Sequence, residues 1–174
     1  MTGRGGEVSE KNPETGKERK MRKISLIILV LTVGLATASV AAAKSFKAVL
    51  SGDDVVPAVK TMAKGEATFT LSKSGKELDY KVMVSDIENV TAAHIHLGKS
   101  GQNGPPVAPF DTKGKKTGTF SGTLAEGKIT ANQLMGSLKG KSVKDLIKEI
   151  EAGNAYVNVH TVKYPDGELR GQIK

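Results

Sequence analysis

Leu78-Asp79-Tyr80-Lys81-Val82-Met83-Val84-Ser85 sets Leu78, Tyr80, Val82 and Val84 at one parity and Asp79, Lys81, Met83 and Ser85 at the other. Successive side chains of a strand point to opposite faces, so this stretch reads as a half-buried β-strand with one face in a core. The same period of two continues on both sides. Upstream, Phe46, Ala48 and Leu50 alternate with Ser45, Lys47 and Val49, and Ala67, Phe69 and Leu71 alternate with Glu66, Thr68 and Thr70. Lys73-Ser74-Gly75-Lys76 lies between the second and third of these strands as a hairpin turn, with glycine where a positive φ is expected. Downstream, Thr91–Leu97, Lys116–Leu124, Asn154–Thr161 and Leu169–Lys174 supply a fourth to a seventh strand.

One segment follows a different period. Val143, Leu146, Ile147 and Ile150 share a helical face, Ser142 and Asp145 form a capping-box variant, and Gly153 ends the helix. Thr130–Met135 offers a shorter helical turn before it. The expected fold is therefore all-β: an immunoglobulin-like antiparallel sandwich or barrel of about seven strands with a small helical insert. Its expected core is Leu50, Phe69, Leu71, Tyr80, Val82, Ile95, Leu97, Phe120, Val157, Val159, Leu169 and Ile173. The last two strands are expected to pair around Tyr164-Pro165-Asp166-Gly167.

All three histidines fall on predicted strands. His94 and His96 share a parity opposed by Ile95 and Leu97, and they run into the loop Lys99-Ser100-Gly101-Gln102-Asn103-Gly104-Pro105-Pro106. Residues two apart on a strand lie roughly 6.5–7 Å from one another on one side. His160 opposes Val157 and Val159, alongside Tyr156, Asn158, Glu168, Arg170 and Gln172. Neutral imidazoles in this arrangement suit zinc, copper or nickel, so His94, His96 and His160 are the candidate metal ligands, with copper or zinc as the cofactor considered. The competing reading makes them hydrogen-bonding residues that hold the Gly/Pro loop, on a polar row that faces solvent. On that reading an Arg170–Glu168 pair contributes little.

The chain ends are unlike the middle. Residues 1–20 are polar, and a basic cluster (Arg19, Lys20, Arg22, Lys23) precedes the apolar run Ile24–Val40 and Ala41-Ala42-Ala43. That order describes a secretory signal peptide over residues 21–43, with cleavage expected near Ala43–Lys44 and Met21 as the expected start. The alternative is an uncleaved membrane anchor, because the run approaches the roughly 20 residues that span a bilayer. Residues 44–174 then form the domain, and their expected location is secreted or extracytoplasmic (periplasm or cell envelope). This part carries 19 basic and 14 acidic side chains, so its net charge is +5 against +8 for the whole chain. Its lysines are scattered and no basic helix or aromatic-plus-arginine platform is present, which argues against nucleic acid as a partner. The chain has no cysteine, so export is not accompanied by disulfides and stability must come from packing.

Three stretches together resemble a known module. Phe46-Lys47-Ala48-Val49-Leu50-Ser51-Gly52 with Val56-Pro57, Ala92-Ala93-His94-Ile95-His96-Leu97-Gly98 with Gly104-Pro105, and Ala152–Ile173 are similar to the CHRD domain. This module is repeated in chordin and occurs singly in many microbial exported proteins. The resemblance covers essentially all of residues 45–174 and implies an extracytoplasmic β domain, without a settled activity. The family pattern has an acidic residue and then Val-Pro-Pro where this chain has Val55-Val56-Pro57-Ala58. Growth-factor binding by chordin does not transfer to a lone module, since fold does not imply function.

These readings point to a binding or structural module outside the cytoplasmic membrane, with a metal ion, an unidentified protein or an envelope ligand as its partner. No Ser/His/Asp or Cys/His arrangement is present, Asp53-Asp54 does not form an acid/base pair, and no catalytic residue is assigned. The alternative class is a metal-dependent redox enzyme. A His-x-His strand followed by a glycine loop is similar to the copper-ligand strand of copper/zinc superoxide dismutases. Such a copper site uses more histidines than the three present here.

Overall fold

The computed structural model describes residues 43–174. The polar extension 1–20 and, apart from Ala43, the signal segment 21–43 lie outside the described residues. Seven strands form one antiparallel sheet: β1 (Ser45–Leu50), β2 (Lys64–Leu71), β3 (Glu77–Leu97), β4 (Pro106–Pro109), β5 (Lys116–Thr130), β6 (Ala155–Thr161) and β7 (Leu169–Gln172). The order β1-β2-β3-β6-β7 nearly closes on itself. Paired backbone bonds link Lys47 with Lys174 (2.8 and 2.9 Å) and Ser51 with Arg170 (2.9 and 3.0 Å), tying the first strand to the end of the chain. The all-β fold read from the sequence is thus a nearly closed barrel with, among the described residues, one α-helix, α1 (Val143–Glu151).

Two of the expected strands are one. The third and fourth merge into the 21-residue β3. Its first half pairs with β2 and β5, and its second half with β6 and β4. The turn between halves is made by bulges rather than by a break. Asp86 and Asn89 take left-handed φ values of 53° and 50°, a region that Asn and Asp tolerate better than other side-chain-bearing residues. Asp86 donates its amide to Ser121 Oγ (2.9 Å), and Asn89 Oδ1 accepts from the Gly118 amide (2.8 Å). These local bonds replace the ladder bonds that a bulge interrupts.

β4 is an addition to the strands read from the sequence, where prolines on both sides conceal it. It pairs with β3 alone among the named strands, and an edge position is where a strand tolerates Pro. Of the expected core, Leu50, Phe69, Tyr80, Val82, Ile95, Val157, Val159, Leu169 and Ile173 are all buried. Leu71, Leu97 and Phe120 are partly buried and pack against that core. Phe110, which the alternation does not place, joins it with its ring 4.8 Å from Tyr80 and 6.1 Å from Phe69.

The helix buries Val143, Leu146, Ile147 and Ile150, as its 3.6-residue spacing predicts. The Ser142 amide and hydroxyl both donate to Asp145 Oδ2 (3.0 and 2.7 Å), with Lys148 adding a third bond to the other oxygen. The Ser142 hydroxyl and then Lys148 hold the Asp145 carboxyl below the usual carboxylate range. The Thr130–Met135 turn is a short 3₁₀ helix at Ala131–Gln133, followed by another at Gly136–Leu138.

Candidate metal centre

Register on two paired strands brings the three histidines together. In the β3–β6 ladder Ala92 faces His160, His94 faces Asn158 and His96 faces Tyr156. His94 and His96 share a face by parity, and His160 lies diagonally across from His94. The three rings sit 5.3–5.7 Å apart between centroids. One ring nitrogen from each falls within 4.8 Å of the other two. An ion bonded to imidazole nitrogens at about 2.0–2.1 Å spans donors no more than about 4.2 Å apart, so small side-chain shifts would close these three onto one ion.

Two of the rings are oriented by backbone carbonyls. His96 Nδ1 donates to Gly104 O and His160 Nδ1 donates to Pro165 O, each at 2.8 Å. A carbonyl only accepts, so in the neutral ring the proton sits on Nδ1 and the Nε2 lone pair is left free. His96 Nε2, His160 Nε2 and His94 Nδ1 are buried without a hydrogen-bond partner. Burial lowers the His94 pKa to about 4, with the neighbouring His160 and His96 adding to the effect. Burial lowers that of His96 as well, and the Gly104 carbonyl opposes the shift only in part. Near neutral pH both rings are therefore neutral and able to act as donors.

The CHRD domain model matches residues 46–173, nearly all of the described chain. The chain belongs to the CHRD family. Neither the curated proteins nor the solved structures give a match to it.

In this CHRD domain much of the polar face is covered, which corrects the expectation of an open outer face, while His94, His160 and Gln172 are half-buried. Tyr156, Asn158, Glu168 and Arg170 are all buried, as is His96. The Gly/Pro loop after β3 folds back over Tyr156, Arg170 and His96. Gly104 makes this approach feasible, because a Cβ there would collide with the Leu97 carbonyl oxygen. Arg170 donates to Asn103 Oδ1 (3.1 Å), Lys99 O (3.0 Å) and Gln102 O (2.8 Å), and its guanidinium lies 3.7 Å from the Tyr156 ring centroid. Tyr156 in turn stacks on His96 at 5.2 Å. The loop, the arginine, the tyrosine and the histidine form one stacked and bonded unit.

Arg170 and Glu168, considered above as an exposed pair of little worth, do not pair with each other. Glu168 accepts from the Thr61 and Thr161 hydroxyls (2.6 and 2.8 Å), while Arg170 serves the loop. Val55, where the family pattern is acidic, is buried. The role of Asn103 escaped the sequence reading: its Nδ2 donates to Val56 O (2.7 Å) and its Oδ1 takes Arg170, so it joins the first motif to the third. An exposed-looking Asn in a Gly/Pro loop carries no local sign of that.

Proposed function

We propose that this CHRD domain is an exported binding module that holds one transition-metal ion, zinc or copper, on His94, His96 and His160. The observation that carries the proposal is the convergence of three imidazoles, one ring nitrogen of each within 4.8 Å of the others, with two of the rings fixed by Nδ1–H bonds to carbonyls. Metal-bound histidines characteristically donate their second nitrogen in this way, which sets the tautomer and raises ligand basicity. Three protein donors leave a coordination position for water or a ligand, where a bound ion supplies Lewis acidity. The stacked loop and the nearly closed barrel supply a rigid support for those donors.

Export rests on the basic–apolar–Ala order of residues 19–43. Mass spectrometry of secreted or envelope protein should find an N-terminus within a few residues of Lys44. Recovery of full-length protein only in membranes would favour the anchor.

Metal analysis of the exported form, followed by competition titration with Zn²⁺ and Cu²⁺, tests the site. About one ion per chain is expected, with His160→Ala losing binding and keeping the β-sheet circular dichroism spectrum. Binding that survives His160→Ala unchanged would reject the three-histidine site. Superoxide dismutation by the copper-loaded protein would move the reading to the redox alternative.

A further inference from the structure

We infer that Asn158 Oδ1 is a fourth functional group of the proposed metal centre, taking either the ion itself or the hydrogen of an ion-bound water. This inference rests on the three-histidine reading and extends it to a residue outside the histidine set.

Asn158 occupies the one position of the β3–β6 face that neighbours all three histidines. It stands directly opposite His94, diagonal to His96, and two residues before His160 on the same strand. Directly opposed residues of an antiparallel pair hold their Cβ atoms about 4.5–5.5 Å apart, and diagonal ones remain within reach of longer side chains. Tyr156 is too far along β6 to meet His160, and Ala92 has no donor.

The second observation is an unmet bond. Asn158 has a relative exposure of only 5 %, yet its Oδ1 has no hydrogen-bond partner. A buried amide oxygen left unpaired is costly to the fold unless something binds it. Assignment of the amide is not arbitrary, since Nδ2 donates to Asp166 O at 2.9 Å and only the nitrogen can do so. Arg170, opposite Asn158 on β7, is the obvious donor, but its bonds go to the loop.

Gly167 then secures the amide from above. A Cβ at this position would collide with both Oδ1 and Nδ2 of Asn158, so any larger residue would displace the side chain. The hairpin thus supplies both the carbonyl that aligns the amide, from Asp166, and the gap that admits it. A buried, unpartnered oxygen on the strand position between the three histidines has the environment of a group awaiting a ligand.

Competition titration of Zn²⁺ against the wild type, Asn158→Leu and Asn158→Asp tests this. Leu keeps the volume and removes the oxygen, and Asp keeps the oxygen and adds charge. Asn158→Asp is expected to bind at least as tightly as wild type. Asn158→Leu should bind about 10–100-fold more weakly, the range typical of an outer-shell partner. Co²⁺ absorption spectra of the two folded forms should differ in band position, which a residue that only supports the hairpin would not cause. Zinc affinity of Asn158→Leu within twofold of wild type overturns the inference while leaving the histidine site standing. If Asn158→Leu does not fold, an Asn158→Asp affinity below wild type overturns it instead. A wild-type protein that binds neither Zn²⁺ nor Co²⁺ overturns both readings together.

Discussion

The Arg170 guanidinium lies over the Tyr156 ring, 3.7 Å from its centroid, and is buried while bonding only neutral acceptors. Burial lowers its pKa, but a guanidinium stays charged at any ordinary pH. The cation–π contact and the three bonds to residues 99–103 offset the cost of burying that charge. Through Tyr156 the arginine also backs the His96 ring. A single side chain on β7 therefore links the loop to the histidine cluster.

Arg170→Ala should destabilise the domain by about 2–4 kcal/mol, because it removes the charged donor that holds three acceptors of the loop and the ring contact with Tyr156. Arg170→Lys restores the charge but not the fork, so it should recover only part of the loss. Urea unfolding gives the stability, and hydrogen exchange should show the added exposure concentrated in residues 98–105. Uniform exchange across the sheet would contradict the loop-clamp role.

Phe69 is 1 % exposed and packs with Phe110 between β2 and the rest of the core. Phe69→Ala should cost about 3–5 kcal/mol in urea unfolding. A loss under about 1 kcal/mol would mean that the ring is not in the core.

The bend of β3 yields a prediction that separates backbone from side chain. Asn89 sits at φ 50° and accepts the Gly118 amide. Asn89→Gly loses that bond but relieves the left-handed strain, whereas Asn89→Ala loses the bond and keeps the strain. Ala should be less stable than Gly by about 1 kcal/mol. Equal stabilities would show that the bend does not depend on this conformation.

Acid should weaken the metal-free domain. His94 titrates at about 4 when folded, against an ordinary value near 6.5, and His96 is shifted the same way. Between these values the unfolded chain binds more protons than the folded one. The stability linked to His94 is thus fully present above pH 6.5 and is lost as pH falls towards 4. Because the ring is only part-buried and solvent screens it, the loss is about 1–2 kcal/mol. His94→Gln should flatten the slope of stability against pH in that window. An unchanged slope would dismiss His94 as its source.

Excess metal should stabilise by mass action. At a free Zn²⁺ concentration about 100 times the dissociation constant, the unfolding free energy should rise by about 2.7 kcal/mol, and chelation should remove the gain. The three histidine-to-alanine variants should show no such rise.

Much of the barrel was legible because a strand's side-chain parity is a property of the local chain. Leu78–Val84 and Phe46–Leu50 announce a buried face whatever they pair with, and Val143–Ile150 announces a helix by its different period. The Tyr164–Gly167 turn is equally local: the Gly167 amide bonds Tyr164 O at 3.0 Å, as a tight turn requires. The bend at Asp86 and Asn89 was not legible as continuity. A polar interruption reads the same whether the chain ends a strand or bulges through it. Pro106 and Pro109 likewise hid β4, whose existence depends on an edge of β3 being free to receive it.

The sequence by itself determined the strand alternation, the helix, the last hairpin, the family, and the common parity of His94 and His96 with their exclusion from the core side. Only the tertiary structure decided that His160 stands diagonal to His94, that Asn158 faces His94, and that residues 98–105 close over Tyr156, Arg170 and His96. Parity is set by bond geometry within a few residues. Register and coverage are set by contacts between segments far apart in the chain, such as Gly104 with Tyr156 and Arg170 with Asn103, and no local pattern encodes those.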